Sequence, residues 1–297
     1  MLIRLGYEIG IEVSQETHVV TALEVHPERK HDLRWESGFS TSPFVQTRTY
    51  ADAHGNRCRR FLAPAGKLTV RYDAVVSDSG LPDAQARDAE ETPLDQLPDE
   101  TLGYLLGSRY CETDHLSAKA WQLFGGVRPG WERVQAITDY VHDRLSFGYG
   151  YARATRTAAQ AHEERVGVCR DFAHLAVALC RCMNIPARYV NGYLGDIGIP
   201  PDPAPMDFNA WFEAYLGGRW YTFDARHNLP RIGRVVVARG RDATDVPLVH
   251  TFGPHTLTKF EVWTYEQDGL QKATPAASLV PGLGQVQELG QGAPVAA

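Results

Sequence analysis

The stretch GVCRDFAHLAVALCRCMNIPARYV, residues 167–190, sets a cysteine directly behind a Gly-Val pair and at the mouth of a helical pattern. Phe172, Leu175, Ala176, Leu179, Cys180 and Met183 recur at i, i+3, i+4 and i+7, which predicts a helix with one apolar stripe, stopped by Pro186. Cys169 lies three residues before Phe172, on the same inward face, in the first turn or at the cap. A thiol there has two readings. It is a packed sulfur, as free cysteines commonly are. Alternatively, the unpaired N–H groups and positive end of the helix favour its thiolate and make it a nucleophile. Cys180 and Cys182 sit deep in the helix, away from that end, and read as core or flank residues.

A nucleophilic cysteine needs a group to take its proton and a carboxylate to orient that group. FNAWFEAYLGGRWYTFDAR, residues 208–226, supplies candidates. Two apolar-aromatic runs flank Gly217-Gly218, a two-residue hairpin signal. With the glycines as the loop, Trp211 faces Asp224, and Asn209 shares the face of Trp211, diagonal to Asp224. Positions 209 and 224 therefore project together. The competing reading of Asp224 is a surface turn aspartate. His174, five residues after Cys169, points away from it around the helix and is expected to pair with Asp171 on a polar flank.

Other elements must hold these groups. Ile3, Leu5, Tyr7, Ile9, Ile11 and Val13 alternate with Arg4, Glu8 and Glu12, which predicts a half-buried strand. HVVTALEV and KLTVRYDAVV are further strands, the second with Leu68, Val70 and Tyr72 on one face. Residues 1–77 thus read as an antiparallel β-sandwich. Residues 78–100 are polar, acidic and broken by Pro82, Pro93 and Pro98, as in a linker or a long surface excursion. WERVQAITDYVHDRL carries Val134, Ile137, Val141 and Leu145 on one helical stripe, and ARYVNGYL is a strand. Helices followed by strands make residues 101–270 an α+β domain. Residues 271–297, rich in Ala, Gly, Pro and Gln, read as a disordered tail.

The ordered set of a cysteine opening a helix, then a strand pair ending in aspartate, resembles the transglutaminase-like superfamily. The resemblance rests on GVCRDFAHLAVALCRCMNIPARYVNGYL and FNAWFEAYLGGRWYTFDARHNLPRIGR and extends over residues 1–265, since the β segment is similar to the N-terminal domain of bacterial members. It implies a papain-like α+β core and a cysteine, histidine and aspartate triad, without metal or cofactor. Its action would be on amide bonds of peptides or proteins, by hydrolysis or by acyl transfer to an amine. Carried over, Cys169 is the nucleophile and Asp224 the orienting carboxylate. Asn209 stands in the slot of the base, and an asparagine accepts no proton near neutral pH. Three accounts follow. The enzyme is impaired, by up to about 10⁴-fold for a lost general base; His227 substitutes; or the helix alone activates the thiol. A non-catalytic peptide-binding module that keeps the cleft is the reading from another class.

The bulk composition fits such a protein. The 297 residues are 43% hydrophobic, enough for a sizeable core, and the net charge of −6 gives no reason to expect nucleic acid or an anionic membrane as partner. Five cysteines and no visible export signal point to reduced thiols in a cytoplasm. The CRC at 180–182 lacks zinc-site spacing, and GVCRDF is no phosphate loop. The arginine-rich RHNLPRIGRVVVARGRD, residues 226–242, is expected to pair with the chain's acids. Tyr149 and Tyr151 border the cleft or lie in a surface loop.

Overall fold

The computed structural model describes residues 1–268, so the tail expected at 271–297 lies outside the described residues. In chain order the elements begin with β1 (Leu2–Val13), β2 (Thr17–Thr21), β3 (Leu33–Glu36), β4 (Ser40–Ser42), β5 (Thr47–Ala51), β6 (Arg57–Ala63) and β7 (Gly66–Ser77). Then follow α1 (Asp99–Leu102), α2 (Thr113–Phe124), α3 (Trp131–Arg144), β8 (Ser146–Phe147), α4 (Ala158–Glu164), β9 (Val166–Gly167) and α5 (Cys169–Cys182). The chain closes with β10 (Ala187–Tyr193), β11 (Asn209–Leu216), β12 (Arg219–Phe223), β13 (Val235–Gly240), β14 (His250–Thr251) and β15 (Thr256–Glu266). The architecture is α+β. Two antiparallel sheets at the N-terminal end, β15-β1-β7-β3 with β4 on β7, and β14-β2-β6-β5, stand beside a third, β12-β11-β10-β13, that carries the helices.

The alternation in β1 is realised: Ile3, Leu5, Tyr7, Ile9, Ile11 and Val13 are all buried. The opposite face differs from expectation. Arg4 is buried as well, paired with Asp73 at 2.6 Å, and Trp263 donates its indole N–H to the same carboxylate. What covers this face at Arg4 and Gly6 is the Trp263 side chain of β15, the strand that pairs antiparallel beside β1 from Ile3 to Glu12. The composition break at 270 therefore does not mark the end of one spatial unit. The last two strands of the 101–270 segment complete the two N-terminal sheets. Strand pairing is indifferent to sequence distance, and TLTKFEVWTYE alternates as well as any strand near the N-terminus.

Residues 78–98 take the excursion form. Their backbone and side chains are tied to the α+β unit: Trp131 N–H donates to Ala89 O, Gly217 N–H to Glu90 O, and Arg133 pairs with Glu91 at 3.1 Å. The two sheet-rich ends also share a core. Tyr193, Phe208, Val235 and Val237 pack into the same apolar cluster as Leu5, Tyr7 and Tyr72.

Helix α5 is the centre of the second core. Every residue from Asp171 to Cys182 is buried, so an apolar stripe understates its burial. It is covered by α2, α3 and α4 on one side and by β10 and β11 on the other. It ends before Pro186: Asn184 takes a left-handed φ of 63° and Ile185 N–H bonds back to Cys180 O, a C-terminal cap that leaves proline no helix to break.

The hairpin register matches the reading of Gly217-Gly218. Leu216 faces Arg219 and Phe212 faces Phe223, with φ of 53° and 85° at the two glycines. Phe212 and Phe223 stack at 5.6 Å inside the core that buries α5.

Gly6 shows how tightly the Trp263 side chain of β15 lies on β1. A Cβ built there would lie 2.4 Å from the Trp263 ring and 2.4 Å from Tyr72 O. Gly6→Ala should therefore destabilise the protein by about 1–3 kcal/mol through overpacking. A thermal midpoint equal to wild type would show that β15 does not need this contact.

Candidate active site

Cys169 is the first residue of α5, and its packing against the sandwich-side core puts it where the two cores meet. The helix start is fixed by Asp171, whose carboxylate accepts from Val168 N–H at 2.9 Å and pairs with Arg156 at 3.1 Å. That commitment corrects the expected Asp171–His174 pair. His174 is fully buried, stacked on Tyr110 at 5.0 Å and next to Tyr189, and its Nε2 accepts from Ala243 N–H. Burial pushes its pKa far down, so the ring is neutral. It faces the core and is unavailable to the cysteine.

Asn209 opens β11 beside Cys169: the next residue, Ala210, supplies a backbone hydrogen bond to the thiol. The Asn209 side chain is held on both ends. Its amide N–H donates to Leu194 O and Asp207 O, and its oxygen accepts from the Arg226 guanidinium at 3.1 Å. The Arg226 guanidinium carbon sits over the Phe147 ring, 3.7 Å from its centre, and the side chain lies beside Tyr149.

Asp224 follows the last residue of β12. It is buried and accepts four hydrogen bonds: Arg226 N–H and His227 N–H on Oδ1, His227 Nδ1–H at 2.8 Å and Arg234 at 2.7 Å on Oδ2. Burial alone would raise its pKa, but the Arg234 charge and the His227 bonds hold it well below the ordinary carboxylate range. Asn209 is absent from that set of partners. The hairpin does deliver positions 209 and 224 to one end of the sheet, and Arg226 links them. Its backbone N–H bonds to Asp224 and its side chain to Asn209. His227 is the histidine that bonds this carboxylate.

The thiol itself is shielded. Burial, then the charge of Asp207, push Cys169 up to about 11, against the pull of Arg226 and of the Ala210 hydrogen bond. Asp207 in turn is raised by burial to about 6, and its carboxylate accepts Phe208 N–H. Among the described residues no cluster of three or more His, Cys, Asp or Glu side chains could hold a metal ion.

The comparisons with known proteins bear on this geometry. A family model described as the transglutaminase-like superfamily matches residues 118–225, a span that contains Cys169, Asn209 and Asp224. A solved structure from Cytophaga hutchinsonii, provisionally designated a cysteine protease, superposes with a TM-score of 0.79 at 31% identity, over 93% of each chain. The chain belongs to the transglutaminase-like superfamily. Its core is a transglutaminase-like cysteine-protease fold, and the N-terminal sheets fall within the matched length. Among curated proteins, an uncharacterized protein of Mycobacterium leprae is 27% identical over 75% of this chain and 82% of its own length. One from Mycobacterium tuberculosis strain H37Rv is 29% identical over 53% of this chain and 55% of its own.

Three residues around Cys169 and Asn209 stand apart from the sequence pattern: Arg226 reads there as one of a run of arginines that pair with acids, and Asp207 and Phe147 belong to no motif. Proximity to Asn209 in the base slot is the signal that could have drawn attention to Asp207. Nothing in the sequence singles out Phe147.

Asp207 gives a test of the site's electrostatics. Removing its negative charge favours the thiolate, so Asp207→Asn should lower the Cys169 pKa. Alkylation of Cys169 by iodoacetamide at pH 8 should then accelerate several-fold over wild type. An unchanged rate-against-pH curve would show that the Asp207 carboxylate does not reach the thiol.

Proposed function

We propose that this chain is a transglutaminase-like cysteine amidase or peptidase, acting on amide bonds of peptides or proteins, whose turnover is impaired by Asn209 in the base position. In this reading Cys169 is the nucleophile. Its sulfur bonds to the amide carbonyl carbon, the C–N bond breaks with the proton delivered to the leaving amine, and the thioester is resolved by water or by an acceptor amine. Cys169 N–H, at the start of α5 where no intrahelical acceptor exists, would stabilise the carbonyl oxygen as it gains charge. Asp224 acts at one remove, by fixing the turn that carries Arg226 and His227. A nucleophilic thiol must be free, and all five cysteines are, which suits the reducing, cytoplasmic setting.

The observation that supports this reading best is the junction of Asn209-Ala210 with Cys169. The residue in the base slot adjoins the nucleophile, and the side chain there accepts a hydrogen bond from Arg226 instead of accepting the thiol proton. The proton is the missing part. A thiol raised to about 11 with no acceptor is overwhelmingly protonated near neutral pH, and a neutral thiol is a poor nucleophile.

That same protonation favours a second reading, a non-catalytic peptide-binding module that retains the fold. Asn209→His separates the two. If the chain is an impaired enzyme, the variant should gain roughly 10²-fold or more in peptide-amide hydrolysis or acyl transfer, the scale of a restored general base. A variant with no gain, from a protein whose Cys169→Ala form still binds peptides, would favour the binding module.

A further inference from the structure

The arginines of residues 226–242 divide into two kinds. Arg234 pairs with Asp83 and Asp224, Arg239 with Glu213 and Glu28, and Arg241 with Asp245, all within 3 Å. Arg231 and Arg226 have no carboxylate partner: Arg231 is buried and gives its guanidinium to Gly195 O, whereas Arg226 is only half-buried. The Arg226 guanidinium bonds only neutral groups, the Asn209 amide oxygen at 3.1 Å and the Tyr149 hydroxyl, and among the described residues it forms no ion pair with a carboxylate. Asp207 is near enough to act on its charge, but that carboxylate is engaged with Phe208 N–H. A half-buried guanidinium with no carboxylate in contact can take an incoming anion.

The position is also built. The guanidinium plane is fixed from below by the Phe147 ring at 3.7 Å and at one edge by Asn209 Oδ1 at 3.1 Å. The backbone that carries it is pinned because Arg226 N–H bonds to the buried Asp224. Holding the fork in place beforehand removes rotamer entropy that a free arginine would lose on binding. Half-exposed Tyr149 stands next to it, and its hydroxyl is within reach of Arg226. The site lies near the start of α5: Phe147, under the guanidinium, pairs with Gly167, two residues before Cys169, and the Arg226 charge bears on the thiol.

We propose that Arg226, seated on Phe147 and braced by Asn209, is a carboxylate-binding subsite beside Cys169. It selects peptides that carry a carboxylate close to the amide presented to the thiol. The carboxylate would meet the remaining guanidinium N–H groups in a forked, charge-assisted pair, with the Tyr149 hydroxyl as a further donor. The chemistry is shared by two sources, the main-chain carboxylate at a peptide's C-terminus and the side chain of Asp or Glu. The inference rests on the reading of the cleft as a peptide site, but not on turnover. It also gives Asn209 a second role, as the acceptor that holds the arginine.

The test is equilibrium binding to the Cys169→Ala protein, which needs no catalysis. Three versions of one short peptide serve as probes: a free C-terminal acid, the C-terminal amide, and the amide with Glu replacing an internal Gln. The expected result is that one acidic version binds at least tenfold tighter than the neutral amide. Which one does so identifies the source. Adding Arg226→Gln should remove that preference and leave the neutral peptide's affinity within about twofold, while Arg226→Lys should retain part of it. Equal binding of all three peptides would overturn the subsite, as would a preference that survives Arg226→Gln. Failure of the amidase reading looks different: Asn209→His would give no turnover, while the acidic preference in the Cys169→Ala protein persisted.

Discussion

A carboxylate taken out of water must be matched by donors or it costs several kcal/mol. Asp224 is buried and matched four times, and much of the site follows from how. Arg234 brings the charge, and its other edge reaches Asp83, so the excursion at 78–98 is fastened to the back of the site by the same guanidinium. Two backbone N–H groups close the turn after β12, and that closure sets where Arg226 can point. His227 takes the remaining lone pair. The carboxylate thus organises the turn and the arginine above it, and reaches residue 209 only through Arg226.

This arrangement explains how a cysteine can be well placed and still be a weak acid. α5 is buried along nearly its whole length between helices and sheet, and only Cys169 and Arg170 at its start are partly exposed. The helix end and the Ala210 hydrogen bond favour a thiolate, as the position of Cys169 suggests. Burial and the Asp207 charge outweigh them. The helix dipole is worth about 1 kcal/mol or less in ordinary surroundings, and a buried anion beside a carboxylate costs more than that. Position alone was therefore not enough to read activation from the sequence.

Much of the scaffold was legible because it is periodic. The alternation of β1, the stripe of α5 and the glycine pair of the hairpin each state a local rule, and the structure obeys it at Ile3, Phe172 and Gly217. The hairpin register, and with it the approach of 209 to 224, followed from the loop alone. The illegible parts are long-range or defined by what a side chain lacks. β15 joins β1 across the whole chain, which no local pattern records. His174 looks like a flank residue on a helical wheel and is core because β10 covers it. Arg226 reads like its neighbours Arg234 and Arg239. Only three-dimensional proximity shows that they found carboxylates and it did not.

If Asn209 stands where a base would act, as proposed, the electrostatics around Cys169 follow from its being neutral. A histidine that takes the thiol proton becomes a cation at the moment the sulfur becomes an anion, so charge is created and balanced together. Asn209 offers no such exchange. Arg226 is a permanent cation near the same sulfur, but it can neither receive the proton nor return it to a leaving amine. A fixed positive charge helps any anion that is already one, and a carboxylate arrives ionised while a thiol must first lose a proton to a partner that is missing. In the proposed reading, Arg226 and Asn209 therefore favour binding an acidic group over generating a thiolate, and a neutral residue at 209 moves the advantage from chemistry to recognition.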